Sequence, residues 1–317
     1  MNYWQQVIFV GSITLPVFSL VFIGIWLKWR QKIDDAFTAR ASYIVFNLAL
    51  PVLMFAAIVR TDLGQIGNPR LIIFALLMTL FSFFVLWWGA RVLIRDKDNL
   101  GVFVQGCFRS NLGILGLAFC LTTFGEEGLA VGALLLAVIT PLYNILSIYA
   151  LTHAATEDTR LNWGQLFKQV ARNPLNTAII LALPFAYWQI PLPEVVMRSI
   201  DYLAAMTLPL ALICIGGTLS FSALKRTQAL SWFAVVIKLL ILPIVVAGLA
   251  YMSGFRGIEL GCLVLMFASP TAAASFVMVR AIGGNYTLAA NIIAITTLIS
   301  LFTVSIAIYL LKVFALI

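Results

Sequence analysis

The chain has 317 residues, of which 62% are hydrophobic and only 10% are charged. This charged share is about 2.5-fold below that of a typical soluble domain, so most of the surface must face lipid. The mean hydropathy of +1.05 points the same way. The composition excludes a soluble globular domain, and the net charge of +8 indicates membrane topology and attraction to anionic lipid, with no nucleic-acid partner.

Ten apolar segments are each long enough to cross ~30 Å of hydrocarbon as a helix. They lie at about 7–28, 41–60, 71–94, 101–123, 128–152, 174–190, 203–222, 230–253, 259–281 and 288–311. We therefore predict an all-α integral membrane protein with ten transmembrane helices, numbered 1 to 10 in chain order, in a lipid bilayer.

The two halves of the chain resemble each other. Three features recur at half the chain length: Pro16 with Pro174, Pro51 with Pro209, and Phe108-x-Ser110 with Phe267-x-Ser269. Because five helices per half is an odd number, the second copy must enter the membrane from the opposite side. We predict two inverted five-helix repeats at 1–155 and 174–317, joined by a cytoplasmic interfacial linker at 156–173.

Lysine and arginine gather in alternate loops. The loops after odd-numbered helices hold 13 of these residues, and the loops after even-numbered helices hold only 4. Since positive charge marks the cytoplasmic side, both termini of this multi-pass plasma membrane protein are predicted to lie outside the cytoplasm. The first apolar segment has no basic flank or cleavage site of a signal peptide, so we expect it to remain as helix 1.

Helix 2 carries a polar residue near a proline. Asn47 precedes Pro51 by four residues, and helix 7 has Thr207 just before Pro209. The two prolines are predicted to kink their helices. Asn47 either offers its amide to a substrate or forms a packing hydrogen bond.

Helix 4 is predicted to break in its middle. It contains Ser110, Asn111, Gly113 and Gly116 there, which are poor residues for a continuous helix. Arg109 lies just before the break, where a cation in a membrane span is costly. It either attracts an anionic substrate or neutralises the carbonyl groups at the end of a half-helix.

Helix 9 has a second break at the corresponding depth. Its Ser269, Pro270 and Thr271 interrupt the helix because proline lacks an amide donor and clashes with the preceding turn. Unwound backbone at this depth is tolerated only inside protein or beside a watery cavity. The half-helices starting near Leu112 and Thr271 have positive ends that suit a carboxylate. The matched breaks predict an anion site, although either alone is also explained as a proline kink among small packing residues.

Lys238, midway along helix 8, either attracts the anionic substrate or caps carbonyl groups at the end of a half-helix, and we favour the second role, as support of the core. All twelve acidic residues lie in loops or at span ends, which favours anion uniport or exchange over proton or Na⁺ coupling. The four cysteines and the single histidine, His153, lack metal-ligand spacing. We expect no metal, no cofactor and no enzymatic activity, since a hydrolase would need a buried nucleophile with its base.

Five segments of the sequence resemble the auxin efflux carrier family, whose prokaryotic members are often labelled malate or malonate permeases. They are RSNLGILGLAF at 109–119, RNPLNTA at 172–178, TLPLALICIGGTLS at 207–220, KLLILP at 238–243 and SPTAAASFVMVRAIGG at 269–284. The resemblance implies the fold of the bile-acid symporter and cation antiporter type, with a scaffold of helices 1, 2, 6 and 7 and a transport core of helices 3–5 and 8–10.

The same resemblance implies that helices 4 and 9 cross at Asn111 and Pro270, with the substrate carboxylate beside Asn111. It also implies elevator-type alternating access and a homodimer. Plant auxin carriers have proline at the first crossing, where this chain has glycines, and a long central cytoplasmic domain that is missing here. A small mono- or dicarboxylate in a bacterial membrane therefore fits better than auxin.

Our leading hypothesis is a secondary transporter of a small organic anion such as malate, malonate or an auxin-like carboxylate. Its candidate binding residues are Asn47, Arg109, Ser110, Asn111, Gly113, Ser269, Pro270 and Thr271. The alternatives are a Na⁺-coupled organic anion symporter and a membrane sensor.

Overall fold

The computed structural model describes residues 3–60, 68–155, 174–219 and 229–317. Within these ranges the regular structure is helical, as the sequence predicts. The predicted interfacial linker at 156–173 lies outside the described residues.

The described part of the first half of the chain contains five helices, α1 to α5. Their bounds are Tyr3–Trp29, Asp35–Val59, Pro69–Leu93, Lys97–Phe108 and Leu117–Ala155. A π-helical turn, Leu112–Gly116, leads into α5. Predicted helix 4 therefore consists of α4 and the start of α5, up to a kink at Gly125, whose φ of 65° is left-handed. Glycine suits this position because it has no Cβ to clash.

Within the described ranges of the second half there are six helices, α6 to α11. Their bounds are Pro174–Tyr187, Glu194–Thr218, Ala229–Met252, Gly257–Ala268, Ala274–Ile282 and Tyr286–Val313. Predicted helix 9 corresponds to α9 and α10 together, and predicted helix 10 corresponds to α11.

Seven helical segments of the described chain are long and apolar enough to cross a membrane. This number is smaller than the predicted ten for three reasons. The segment Leu112–Ala154 runs through the Gly125 kink and counts once, the apolar part of α6 spans only Thr177–Tyr187, and the break in helix 9 leaves Gly257–Ala268 as a short piece. The protein is thus a multi-pass helical membrane protein.

Two of the long helices contain a π-helical turn, which is wider than an α-helical turn, shortly before a proline. The π-helical turn Val45–Ala49 in α2 ends two residues before Pro51, and the turn Ile237–Ile241 in α8 ends two residues before Pro243. A proline ring clashes with the carbonyl four residues earlier, and a wider turn gives it room. The expected disturbance at Pro51 therefore takes the form of a π turn.

The helices pack in two groups. In the first, α1 packs along α7, and α2 packs against α6 and α7. A Cβ atom at Gly24 or Gly216 would overlap a backbone carbonyl of the opposite helix, so these glycines let α1 and α7 approach closely. In the second group, α5 packs against α3, α4 and α9, while α11 packs against α8 and α9. The groups touch where α1 meets α11 and where α2 meets α5.

Candidate functional site

The first interruption in a helix lies between α4 and α5. The helix α4 ends at Phe108, and Arg109 adopts an extended conformation with φ −83° and ψ 106°. Asn111 is also non-helical, with φ −80° and ψ 67°, before the π-helical turn starts at Leu112. The interruption falls where the sequence predicts it.

The second interruption lies between α9 and α10. The helix α9 ends at Ala268, and Ser269 is extended, with φ −58° and ψ 143°. The helix α10 begins at Ala274, later than the expected start near Thr271. The reason is that Thr271 and Ala272 pair with the first interruption and do not begin a new helical turn.

The two interruptions cross as a short antiparallel pair. Ser110 and Thr271 form an isolated β-bridge. The amide of Asn111 donates to the carbonyl oxygen of Pro270 at 2.7 Å, and the amide of Ala272 donates to that of Arg109 at 3.2 Å. Each interruption thereby satisfies backbone groups of the other, which a membrane interior requires.

Two hydroxyl groups repeat this exchange. Ser110 Oγ donates to the Phe267 carbonyl oxygen at 3.2 Å, and Thr271 Oγ1 donates to the Gly106 carbonyl oxygen at 2.6 Å. In both cases the acceptor lies four residues before the bridging residue of the opposite helix. Ser110 and Thr271 are buried, with exposures of 3% and 1%. The crossing therefore has the local pattern of a two-fold axis.

Lys238 reaches the crossing from α8. Its side chain is fully buried, and Nζ donates to Ser110 Oγ and, at 3.1 Å, to the Phe267 carbonyl oxygen. Carbonyl groups at the carboxyl end of a helix carry negative partial charge. Lys238 thus caps the end of α9 at the crossing.

Arg109 points away from its own helix end. Its guanidinium donates to Asn144 Oδ1 at 2.8 Å and to Ser147 Oγ at 3.1 Å, both on α5, and contacts Met278 Sδ at 2.9 Å on α10. The side chain is 6% exposed. Arg109 therefore ties the first interruption to α5 and α10.

Asn111 and Gly113 follow the bridging residue Ser110 in the first interruption. The side-chain amide of Asn111 forms no hydrogen bond with any described residue, although the residue is only 7% exposed. A Cβ atom at Gly113 would lie 3.2 Å from Leu50 Cδ2 of α2. Ser269 is different, because its hydroxyl returns to the Leu265 carbonyl oxygen of its own helix at 2.8 Å.

Asn47 is not brought to this set of residues. Its side chain is exposed, and its amide donates to the carbonyl oxygen of Tyr43 in the same helix at 2.9 Å. The geometry matches the packing alternative for this residue better than substrate contact.

A cavity of about 480 Å³ lies between the two groups of helices, among α1, α2, α5 and α7. Its apolar wall includes Val17, Leu53, Ala118, Leu129, Ala204 and Leu212. Glu126, Arg60 and Asp201 also line it, and the last two form an ion pair at 2.5 Å. The crossing residues do not line this cavity.

A sequence model of the family described as "Membrane transport protein" matches residues 9–160 and 155–308. The chain belongs to this family. The match confirms the resemblance to auxin efflux carriers, and it makes the protein a membrane transporter and not an enzyme.

Relatives within the family cover nearly the whole chain. The "Putative malonate transporter" of Rhizobium meliloti is 27% identical over 311 residues, covering 96% of this chain and 96% of the relative. An "Uncharacterized transporter" of Methanothermobacter thermautotrophicus is 27% identical over 298 residues, covering 93% and 96%. "Uncharacterized transporter YfdV" of Escherichia coli K12 is 22% identical, covering 83% and 85%.

Several residues at the crossing of this family member were missed from the sequence. Asn144 and Ser147 hold Arg109, and Thr296 Oγ1 accepts the Thr271 amide at 3.2 Å. Gln105 Oε1 and Ser275 Oγ are buried without a hydrogen-bond partner in the described part of the chain. One signal was available, since Asn144 and Ser147 are polar residues one helical turn apart in an apolar span.

Proposed function

We propose that the chain is a secondary transporter that moves a small organic anion across the plasma membrane by elevator-type alternating access. The observation that carries this proposal is the crossing of two interrupted helices through reciprocal hydrogen bonds between Arg109–Asn111 and Pro270–Ala272. Interrupted helices that meet at mid-depth are the usual substrate sites of transporters built from inverted repeats.

The two-fold pattern of the crossing supports an inverted repeat of five helices per half. Ser110 and Thr271 exchange equivalent hydrogen bonds with Phe267 and Gly106, as an axis in the membrane plane would require. In this arrangement α6 is the sixth span, α9 and α10 together form the ninth, and both termini lie outside the cytoplasm.

The charges and helix ends at the crossing favour an anion. The π-helical turn at Leu112 and the helix α10 at Ala274 begin beside it, and helix starts carry positive partial charge. The buried charged residues of the described chain are Arg109 and Lys238, which are both basic. The unpaired amide of Asn111 supplies a donor for one carboxylate oxygen.

Packing supports a scaffold and a moving core. The α1, α2, α6 and α7 group serves as the scaffold, and the group around α3–α5 and α8–α11 serves as the core. The cavity between them provides a path from the outside, and its mouth carries Arg60. The scaffold would also form a homodimer.

Malonate is the first substrate to test, because the relative from Rhizobium meliloti carries that name. The experiment measures uptake of labelled malonate into proteoliposomes, with malate and indole acetate as competitors. The parent should show saturable uptake that unlabelled dicarboxylate inhibits more strongly than indole acetate does. Pro270→Ala should lower the rate of uptake, because alanine has the backbone N–H group that proline lacks and therefore weakens the helix break.

Asn111→Ala and Asn47→Ala form a matched pair of amide deletions. Losing a hydrogen bond to a charged group costs ~1.5–3 kcal/mol, or ~10–100-fold in apparent affinity. We expect this loss in Asn111→Ala alone, because the Asn47 amide is bonded within its own helix. A folded parent without uptake of any of these carboxylates would refute the proposal.

A further inference from the structure

Met278 of α10 lies against two polar side chains at the end of α4. Its sulfur atom Sδ is 2.9 Å from a terminal nitrogen of the Arg109 guanidinium and 3.6 Å from the side-chain nitrogen of Gln105. A thioether sulfur is a weak hydrogen-bond acceptor, so it is a poor partner for a guanidinium. Asn144 and Ser147 bind the same guanidinium through oxygen atoms, which leaves the contact with Met278 as the one that a stronger acceptor could replace.

Two further polar atoms on the same helix faces have no partner. Gln105 Oε1 and Ser275 Oγ form no hydrogen bond within the described part of the chain, and their residues are 0% and 2% exposed. Gln105 lies one helical turn before Arg109, and Ser275 lies one turn before Met278, so each pair shares a helix face. Because α10 packs against α4 and α5, a polar ligand between these helices would supply the missing partners.

The cluster suits an anionic oxygen atom. Arg109 carries a positive charge, Ser275 has a hydroxyl donor, and the Gln105 amide presents its NH₂ group after rotation by half a turn. The buried residues of the described chain include no aspartate or glutamate, so no buried carboxylate there neutralises the guanidinium. A carboxylate accepts stronger hydrogen bonds from these donors than a sulfur atom does. We therefore expect a ligand carboxylate to displace the Met278 side chain, which has three rotatable bonds.

Arg109 and Asn111 are placed to bind two ends of one molecule. They flank the bridging residue Ser110, and Arg109 has an extended backbone. Side chains two residues apart in an extended segment point to the same face, with their backbone positions about 6.5 Å apart. Ser110 points to the opposite face, where its hydroxyl donates to the Phe267 carbonyl oxygen. When Asn111 binds one carboxylate of a substrate, Arg109 is thus in position for a second.

We propose that Gln105, Arg109 and Ser275 form a second carboxylate subsite, which the Met278 side chain occupies until a substrate binds. The ligand of this subsite is the second carboxylate of a small dicarboxylate whose first carboxylate binds Asn111. The subsite selects dicarboxylates over monocarboxylates of the same size. The inference rests on the proposed transport function and deepens it by assigning the specificity of the site.

Malonate and propionate test this selection, because they have the same three-carbon chain and differ by one carboxylate. Their affinities are measured for the purified parent, Gln105→Leu and Ser275→Ala, by direct binding of labelled malonate and by competition with propionate. The parent should bind malonate at least ~10-fold more tightly than propionate. Each variant should lose about tenfold in malonate affinity, since each removes a hydrogen bond to a charged group. The affinity for propionate should stay the same in both variants.

Met278→Ala tests the occupied state of the subsite. It removes the side chain that malonate has to displace, so the malonate affinity should rise about threefold or more, while the propionate affinity stays the same. The matched control is Met252→Ala, which truncates an exposed methionine at the end of α8. It should change neither affinity.

Three results would overturn the subsite. One is a folded Gln105→Leu or Ser275→Ala with the malonate affinity of the parent, which is expected when these groups only pack or bind water. The second is an equal loss of affinity for malonate and propionate. The third is unchanged or weaker malonate binding in Met278→Ala. Ser275→Ala removes a single oxygen atom, so it decides the question even when Gln105→Leu fails to fold.

The same measurements separate the subsite from the proposed transport function. Equal, saturable binding of both acids by the parent would reject the subsite and keep a carboxylate transporter. A folded parent that binds neither acid would reject the proposed function together with the subsite.

Discussion

The two interrupted segments that cross at the middle of the protein have the same backbone pairing and different side chains. The first carries Arg109 and Asn111, and the positions opposite them in the second carry Pro270 and Ala272. Only the bridging residues, Ser110 and Thr271, are alike. Beside the bridge, the first segment therefore carries polar side chains, whereas the second carries apolar ones.

The shared backbone pairing and the different side chains have separate roles, the first in building the crossing and the second in recognising the substrate of the proposed site. Backbone pairing and the two hydroxyl groups build the crossing, and they follow the two-fold pattern because both halves must close the same gap. Substrate recognition does not have to be symmetric, since a small anion has one position at a time. In the proposed site, the side chains of the first segment would be sufficient for it.

We expect the largest effect from Arg109→Ala, which removes a polar side chain from the first interrupted segment. Asn144 and Ser147 would each lose a buried donor, at a cost of ~1–3 kcal/mol per group. We expect the melting temperature to fall by at least ~5 °C and transport to be lost. Arg109→Lys should rescue it poorly, because one ammonium group cannot replace the fork of a guanidinium. Arg40→Ala, at an exposed position, is the control, and an unchanged melting temperature in Arg109→Ala would contradict this role.

The next effect tests the space beside the polar segment. In Gly113→Val the new side chain would press on Leu50, since even a Cβ atom would lie 3.2 Å from its Cδ2. Overpacking of this kind costs ~1–3 kcal/mol, and here it would obstruct movement between α2 and the crossing. We expect uptake to fall by about tenfold. Gly89→Val is the matched control, because a Cβ atom at Gly89 meets nothing within 4 Å, and equal losses in both variants would argue against the proposed movement.

Removing the two bridging hydroxyls should show how far the symmetry extends. Thr271→Val leaves the Gly106 carbonyl without its side-chain donor, at a cost of ~1–3 kcal/mol. Ser110→Ala should cost less, because Lys238 still donates to the Phe267 carbonyl. The measurement is the difference between the two melting temperatures. If Ser110→Ala were the more destabilising variant, Lys238 would not be the main partner of that carbonyl.

The smallest effect is expected at the mouth of the cavity. Arg60 and Asp201 form a half-exposed ion pair, and pairs of this kind contribute ~0–1 kcal/mol to stability. Arg60→Gln should therefore leave the melting temperature unchanged but raise the KM for malonate a few-fold at low salt, because an attractive charge is lost at the entrance. Arg198→Gln breaks a more exposed ion pair on α7, the helix that carries Asp201. It should change neither the melting temperature nor the KM. A KM effect that persists at high salt would contradict an electrostatic role.

Much of the helical structure could be predicted from the sequence because lipid imposes a simple rule on the length of apolar segments. The break at Pro270 followed from its missing amide, and the break at Asn111 from a run of residues that disfavour a helix. The later start of α10, at Ala274, could not be foreseen. It depends on Ala272 pairing with Arg109, which is a contact between distant parts of the chain.

The position of the crossing could be predicted from the sequence, but its side-chain contacts could not. Residue type and depth identified Arg109 and Lys238, yet their partners lie on other helices, so the sequence left two roles open for each. Lys238 caps the end of α9, whereas Arg109 binds α5. For Asn47 the sequence likewise left two roles open, and in the structure its amide donates to the Tyr43 carbonyl oxygen of the same helix.

The most direct test of the central claim is equilibrium binding of labelled malonate to the purified parent, Asn111→Ala and Asn47→Ala. The substrate site at the crossing predicts saturable binding to the parent, at least ~10-fold weaker binding to Asn111→Ala, and unchanged binding to Asn47→Ala. Equal affinity of the parent and a folded Asn111→Ala would contradict the claim that the crossing holds the substrate.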